Sequence, residues 1–185
     1  MDRLGDDSQM LSIERVDSIG HFLTEFDKWT VHEMILTPDK LQWYWEEFQK
    51  YPSLFSDLTK GQVDLFVNAM TAQGTFWMEV YDATKLVGLL YLTDLSMITD
   101  CTCHIMFFDR RLMEKVPLCR HVVRWCFSKF HLHRMSAVVP DIYHATVRLT
   151  RGVGFKQEGI KRDAALVGGK WINEIQFGLL AAEMY

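Results

Sequence analysis

Apolar residues in the first third of the chain recur mostly three or four positions apart, the spacing of a helix with one buried face. Residues 11–16 are an exception, because their apolar and polar side chains alternate and predict a short strand. Asp17 or Ser18 is a suitable N-cap for a helix that follows this strand. The apolar face of that predicted helix consists of Ile19, Phe22, Leu23 and Phe26.

Two further helices are predicted before residue 74. Thr37 followed by Pro38 is a typical helix start, because the hydroxyl can cap free amides and proline fits the first turn. The apolar residues of this helix at the expected spacing are Leu41, Trp45 and Phe48. Residues 61–73 predict the next helix, whose inward side chains are Leu65, Phe66, Ala69 and Met70.

From residue 75 onward the pattern changes to the alternation typical of strands. Residues 75–83, 85–95 and 101–109 predict three strands, and the short gaps between them favour antiparallel pairing. The remaining predicted elements are a helix at 117–130, a strand at 133–140, a short helix at 141–152 and two last strands joined at Gly168-Gly169. This order predicts an α/β fold with a mixed central sheet of about six or seven strands flanked by helices.

The composition is that of a globular protein. The chain has 185 residues, 49% of them hydrophobic and 24% charged, which predicts one domain over residues 1–185 with an N-terminal arm of about ten residues. No apolar run approaches the roughly 20 residues of a membrane helix, and the acidic N-terminus does not resemble a signal peptide. The four cysteines form neither a disulfide framework nor a zinc ribbon, so we expect a cytoplasmic location.

The charges are unevenly distributed along the sequence. The formal net charge is −4, but the segment from Cys103 to Arg162 holds twelve Lys or Arg against four Asp or Glu. A basic segment within an acidic protein favours an anionic partner for that segment. The alternative, solvated charges scattered over the surface, stays open. A sequence pI near 6.0 argues against a dedicated nucleic-acid-binding protein.

The C-terminal half carries a recognisable series of residues. Their order and spacing resemble the GCN5-related N-acetyltransferases (GNAT superfamily), especially the subgroup that acetylates ribosomal proteins and antibiotics. The matching positions are Ala145, Thr146, Gly154-Phe155, Glu158-Gly159, Arg162-Asp163, Gly169 and Trp171. The resemblance extends from about Leu86 to Leu180 and is weak before that. It implies an acetyl-CoA-dependent transfer to an amine acceptor, which is a small molecule, a protein N-terminus or a lysine.

The family's phosphate-binding loop is the main departure from this resemblance. In the family, a glycine-rich loop between the fourth strand and the long helix binds the coenzyme's diphosphate with its amides. Here Glu114, Val116 and Leu118 replace the glycines, and Pro117 removes one N–H donor. Side chains could supply the charge instead, and the candidates are Arg110, Arg111, Lys115 and Arg120. A turn in which Leu118 or Met113 filled the cleft, with the arginines pointing elsewhere, would argue against transfer chemistry.

Two further positions depart from the family's residues. A tyrosine that protonates the leaving thiolate is replaced by Thr150, and an asparagine that contacts the pantetheine arm is replaced by Tyr143. His104 is the candidate general base, with Asp94 or Glu79 acting through a water as alternatives. The oxyanion donor expected from the resemblance is a main-chain amide near Phe107 or Phe108. Each of these side chains could equally be a packing residue.

Two other groups of residues give weaker functional signals. Cys101 and Cys103 share a strand face, but His104 points the other way, so a zinc site is disfavoured. The aromatic residues at 43–45 and 76–77 could border an acceptor pocket or a protein-binding face.

Three functional hypotheses therefore remain. The first is the N-acetyltransferase, supported by the resemblance and by the basic segment. The second is a catalytically inactive copy of this fold used for binding or assembly, for example in a phage virion, supported by the three departures. The third, a nucleic-acid-binding accessory protein, has the least support.

Overall fold

The computed structural model describes residues 19–50, 62–96, 99–108 and 111–184. The strand predicted at 11–16 lies outside these ranges. The strands are β1 (Phe22–Phe26), β2 (Trp29–Glu33), β3 (Phe76–Asp82), β4 (Lys85–Thr93), β5 (Asp100–Phe107), β6 (Arg134–Pro140), β7 (Lys156–Val167) and β8 (Lys170–Leu180). The helices are α1 (Pro38–Gln49), α2 (Val63–Met70), α3 (Val116–Phe130) and α4 (His144–Val153), and short 3-10 turns cover Leu112–Lys115 and Ala181–Glu183. None of the described helices is long and apolar enough to cross a membrane.

The predicted fold class is confirmed: a mixed sheet carries helices on both faces. It has eight strands in the order β1-β2-β3-β4-β5-β6-β8-β7, more than the predicted six or seven. Neighbouring strands are antiparallel except for β5 and β6, which α3 connects as a parallel crossover. The hairpin between β7 and β8 turns at Gly168 and Gly169, both with positive φ, as their sequence predicts.

The helix predicted from Asp17 or Ser18 through Phe26 is wrong. Residues 22–33 instead form a hairpin at the edge of the sheet, with β2 paired to β3. Asp27 supplies the turn with a φ of 55°, and the alternating residues Trp29 and Val31 on β2 are buried. The four apolar residues between 19 and 26 fit a helix and a strand about equally well, and the available sheet edge decides between them.

The helices predicted to start at Thr37-Pro38 and to cover residues 61–73 exist as α1 and α2, but their buried faces are shifted. Thr37 caps α1 by accepting a hydrogen bond from the Lys40 amide at 3.2 Å, as predicted. The buried side chains of α1 are Lys40, Tyr44 and Phe48, whereas the predicted inward residues Leu41 and Trp45 are half-buried. On α2 the predicted Phe66 and Met70 are buried, while Leu65 and Ala69 are exposed.

The core has two parts, one on each face of the sheet. Helices α3 and α4 cover one face, where Leu118, Val122 and Phe127 pack against Met135 and Phe177. Helices α1 and α2 cover the other face over β3 to β5. The larger buried residues of this second part are Tyr44, Phe48, Phe66, Met70, Tyr81, Leu89 and Met106. The sheet therefore lies between two helix pairs, with α1 and α2 from the N-terminal half of the chain on one face and α3 and α4 from the C-terminal half on the other.

A buried ion pair fixes α1 to the sheet. The Lys40 ammonium lies 2.8 Å from Glu79 on β3, and both side chains are almost completely buried. The hydroxyls of Tyr44 and Tyr81 donate to the same carboxylate at 2.7 Å and 3.1 Å. Burial, and then the neighbouring Glu79 charge, raise the pKa of both tyrosines, so both remain protonated donors. The carboxylate is thus fully hydrogen-bonded, as a buried charge must be.

We expect Lys40→Met to lower the free energy of unfolding by about 3–5 kcal/mol, because it leaves the Glu79 carboxylate buried without its counter-ion. Urea unfolding followed by circular dichroism measures this loss. The matched control is Lys28→Met, which breaks the half-exposed Lys28–Asp82 pair and should cost less than about 1 kcal/mol. Equal losses in the two variants would contradict this account of the buried pair.

Candidate functional site

The candidate site lies where β5 and β6 separate. Their pairing is limited to three residue pairs, from Asp100–Arg134 to Thr102–Ser136, although both strands continue beyond that point. The gap opens into a cavity of about 550 Å³. Its lining comes from β3, β4, β5, β6, the last residues of β7, the middle of β8, and the helices α3 and α4.

The separated part of β5 directs main-chain groups into this gap. The Phe108 amide donates to the Val87 carbonyl of β4. Every second residue of β5 is bonded in this way, so the register also directs the N–H groups of His104 and Met106 towards β4. In an antiparallel pair such positions alternate with positions whose amides point away. The N–H groups of Ile105 and Phe107 therefore point towards β6, beyond the end of its pairing.

The cavity passes through the sheet. On the α3/α4 side it is lined by apolar residues and thiols, among them Ile105, Phe107, Cys103, Cys119 and Cys126. On the opposite side, strand alternation places Tyr91, His104, Met106, Val138, Pro140, Ala165, Val167 and Glu174. In the transfer that the sequence resemblance implies, the coenzyme would enter from the α3/α4 side and the amine from the other, so we call these two parts the donor half and the acceptor half. Glu174 is the one carboxylate among the described lining residues, and no Lys or Arg occurs in that described lining.

The predicted phosphate loop is helical in its described part. Residues Leu112–Lys115 form a 3-10 turn that continues directly into α3. The Val116 amide donates to the Met113 carbonyl, and Pro117 has no N–H to offer. The start of α3 packs closely on α4, since a Cβ at Gly152 would lie 3.1 Å from the Val116 side chain. Leu118 is fully buried in the core, and neither Leu118 nor Met113 lines the cavity.

The described cations of this loop interact with protein groups. Arg120 donates to the carbonyls of Gly152 at 2.7 Å and Val153 at 3.4 Å, which caps the end of α4. Lys115 is buried, donates to the Arg111 carbonyl at 3.2 Å and lies over the Phe107 ring. Arg111 pairs with Glu114 at 3.6 Å on the surface. Arg110 lies outside the described residues. The proposed diphosphate contacts from these side chains remain predictions.

His104 is held in an aromatic stack in the acceptor half. Its ring lies 4.4 Å from the Tyr91 ring, nearly parallel, and Tyr91 stacks in turn on Trp77 at 3.9 Å. The His104 Nε2 atom and the Thr93 hydroxyl are 3.0 Å apart. Burial lowers the pKa of His104 to about 4, although the Asp94 charge acts in the opposite direction. The imidazole is therefore neutral at pH 7 and is a weak base.

The alternative bases occupy quite different surroundings. Glu79 is completely buried in its ion pair with Lys40, out of reach of the cavity. Asp94 is exposed at the end of β4 with a φ of 51° and accepts a hydrogen bond from the Thr93 hydroxyl at 3.3 Å. Neither carboxylate lines the cavity. The carboxylate that does line it, Glu174, gives no motif signal, since only the pairing of β8 with β6 places it there.

The predicted coenzyme contact Tyr143 and the catalytic candidate Thr150 both lie in the donor half of the cavity. Tyr143 precedes α4 and is half-buried, and Thr150 is buried on its last turn. The Thr150 hydroxyl donates to the Thr146 carbonyl at 2.9 Å, so its proton is already used within the helix. This arrangement gives Thr150 a packing role in the structure, and its role in chemistry stays a prediction.

The cysteines are free thiols, of which Cys103 is half-buried and the other three are buried. Burial raises the pKa of Cys101 and of Cys119 to about 12, and it raises the pKa of Cys103 and Cys126 as well. Thiols in this state are poor nucleophiles and poor metal ligands. Within the described ranges, no group of three or more His, Cys, Asp or Glu side chains is arranged to hold a metal ion.

The sequence matches no protein-family model, and no curated protein matches it significantly. Solved structures do match the fold. The spermidine N-acetyltransferase of Vibrio cholerae in complex with CoA and spermine superposes with a TM-score of 0.68 at 15% sequence identity, covering 85% of this chain and 98% of that one. The fold is that of the N-acetyltransferases. A structure described as a probable acetyltransferase agrees, with a TM-score of 0.67 at 16% identity and coverage of 88% and 98%.

The low pKa of His104 predicts a pH-dependent contribution to stability. Between about pH 6.5 and about 4 the unfolded imidazole binds a proton that the folded one does not, so the free energy of unfolding falls as the pH falls. His104→Phe removes this contribution, and the stability of the variant relative to wild type should rise as the pH falls through this window. Urea unfolding at several pH values measures the difference. A difference that does not vary with pH would contradict the buried, neutral imidazole.

Proposed function

We propose that this chain is an acetyl-CoA-dependent N-acetyltransferase that acts on an amine. The observation that carries the proposal is the cavity through the separated strands β5 and β6, because it lets a donor and an acceptor meet from opposite faces of the sheet. A transferase must bring two substrates together within one water-poor space. A matching structure contains CoA together with an amine, spermine, which supports this choice of substrates.

The donor half suits the thioester arm of the coenzyme. The arm is narrow and carries amides, and it can pair with the main chain of β5 where β6 no longer does. The amides of Ile105 and Phe107 point into this gap and are the candidates for polarising the thioester carbonyl. Donors aimed at the developing oxyanion are the largest contribution that a protein makes to this kind of reaction. Phe107 was predicted in this role, whereas the Phe108 amide is already bonded to Val87.

The transfer itself needs few side chains. The neutral amine nitrogen attacks the thioester carbonyl carbon, the new C–N bond forms, and the C–S bond breaks as the oxyanion collapses. The amine loses one proton to a base or to water, and the thiolate that leaves takes up one proton. A neutral His104 accepts hydrogen bonds but takes protons poorly at pH 7. Positioning therefore contributes more to the rate than acid–base catalysis by this residue.

A second candidate function rests on the state of the loop cations. Arg120 and Lys115 donate to main-chain carbonyls, and Arg111 pairs with Glu114, so these three side chains are not poised for a diphosphate. This observation favours a non-catalytic copy of the fold that serves in binding or assembly, including the virion component considered above. The two candidates differ in whether the donor half binds acetyl-CoA at all.

Isothermal titration with acetyl-CoA tests the proposal directly. We expect micromolar binding by the wild type, because the arm and its thioester fill the donor half of the cavity. Ala145→Phe places a ring at the lining residue Ala145 and should abolish this binding, while the matched control Ala182→Phe, exposed near the C-terminus, should not. No heat of binding at millimolar acetyl-CoA would overturn the transferase proposal and favour the binding protein.

A further inference from the structure

The charged groups that line the cavity indicate which kind of acceptor the cavity can bind. Across the described lining, the groups that can carry charge near pH 7 are one carboxylate, Glu174, and one imidazole, His104. The imidazole is neutral because burial lowers its pKa to about 4. The cavity therefore presents a single negative charge within an apolar and aromatic wall. Such a site attracts a cation and disfavours an anion.

Glu174 lies on the acceptor half. Its neighbours across the sheet are Pro140 on β6 and Lys161 on β7, and the adjacent core positions on β8, Ile175 and Phe177, point to the opposite face. The side chain of Glu174 is half-buried. The ion pairs within the described part of the chain do not include a Glu174–Lys161 contact within 4.0 Å, so the carboxylate stays available to a ligand.

We propose that Glu174 is the residue that binds the acceptor, and that the acceptor is a cationic primary amine on an apolar stem. The inference rests on the proposed function, since it identifies the substrate class of the same cavity. The ammonium group pairs with the Glu174 carboxylate, and the stem lies along the aromatic rings of Tyr91 and His104 across the gap. A charge pair in a half-buried site is stronger than the same pair on the surface.

This assignment also accounts for the acid–base step. The bound ammonium gives one proton to the Glu174 carboxylate, and the resulting neutral amine attacks the thioester. The carboxylic acid then releases that proton to water, and the second proton that the nitrogen loses on forming the amide goes to the leaving thiolate, so Glu174 ends the cycle ionised. Glu174 is the one carboxylate of the described lining, so it is the negatively charged group beside the bound ammonium that can take this proton.

Direct binding of an amine tests the proposal separately from acetyl-CoA. The probe is 1,5-diaminopentane, titrated calorimetrically into the full chain, with 1-pentanol as the uncharged comparison. Glu174→Gln should raise the Kd for the diamine at least about tenfold while the binding of acetyl-CoA and the unfolding temperature stay unchanged. Lys161→Gln should lower the Kd, because it removes a positive charge next to Glu174.

A control substitution separates the site from the general charge of the protein. Glu25 is exposed on β1 at the far edge of the sheet, and Glu25→Gln changes the net charge equally but should leave the Kd for the diamine unaltered. Unchanged diamine binding in Glu174→Gln would overturn the proposal, and so would a wild type that binds 1-pentanol as tightly as the diamine. A wild type that binds acetyl-CoA but not the diamine at millimolar concentration would overturn this inference and leave the proposed function standing.

Discussion

The early end of the pairing between β5 and β6 is the constraint on which the site depends. Three residue pairs hold these parallel strands together, and beyond Thr102 and Ser136 they diverge. Main-chain groups that a continuous sheet would satisfy internally must then face either apolar side chains or a ligand. The amides of Ile105 and Phe107 are in this position. A sheet that was paired along its whole length would have neither the cavity nor these donors.

The divergence is tolerated because the two faces of the sheet are fixed independently. On one face, Arg120 ties α3 to the end of α4, and the core around Leu118 and Phe177 completes that layer. On the other face, the Lys40–Glu79 pair and the two tyrosine hydroxyls hold α1 on β3. A hydrophobic contact could slide along the sheet, but a buried carboxylate with four partner contacts has only one satisfactory arrangement. This rigidity preserves the shape of the acceptor half beside Tyr91 and His104.

The elements that sequence predicts best are those with a local physical cause. Thr37 before Pro38 sets a helix start, and Gly168-Gly169 sets a hairpin, whatever the rest of the chain does. The misassigned segment at residues 22–26 has no such local signal, and its conformation depends on β3, which lies about 50 residues further along the chain. Glu79 was proposed as a base because its strand was predicted correctly. Its partner Lys40 is 39 residues away, and no spacing rule could reveal that pairing.

The same distinction applies to the site. The resemblance to the acetyltransferases predicted the fold, and the matching solved structures confirm it. The loop cations were identified from charge alone, and charge does not reveal that Arg120 is needed at the carbonyls of Gly152 and Val153. Glu174 was missed for the opposite reason, since it is an ordinary acidic residue on a strand until β6 is placed beside it.

The described loop cations differ in the interactions that each would lose if it turned towards a diphosphate. A phosphate is a stronger hydrogen-bond acceptor than a carbonyl, but Arg120 would leave two carbonyls at the end of α4 unpaired if it moved. Lys115 would have to leave a buried position over the Phe107 ring. The Arg111–Glu114 pair is solvent-exposed, and such a pair contributes little to stability. Arg120 and Lys115 could therefore reach a diphosphate only by giving up interactions within the protein, whereas Arg111 and Glu114 form their pair at the surface.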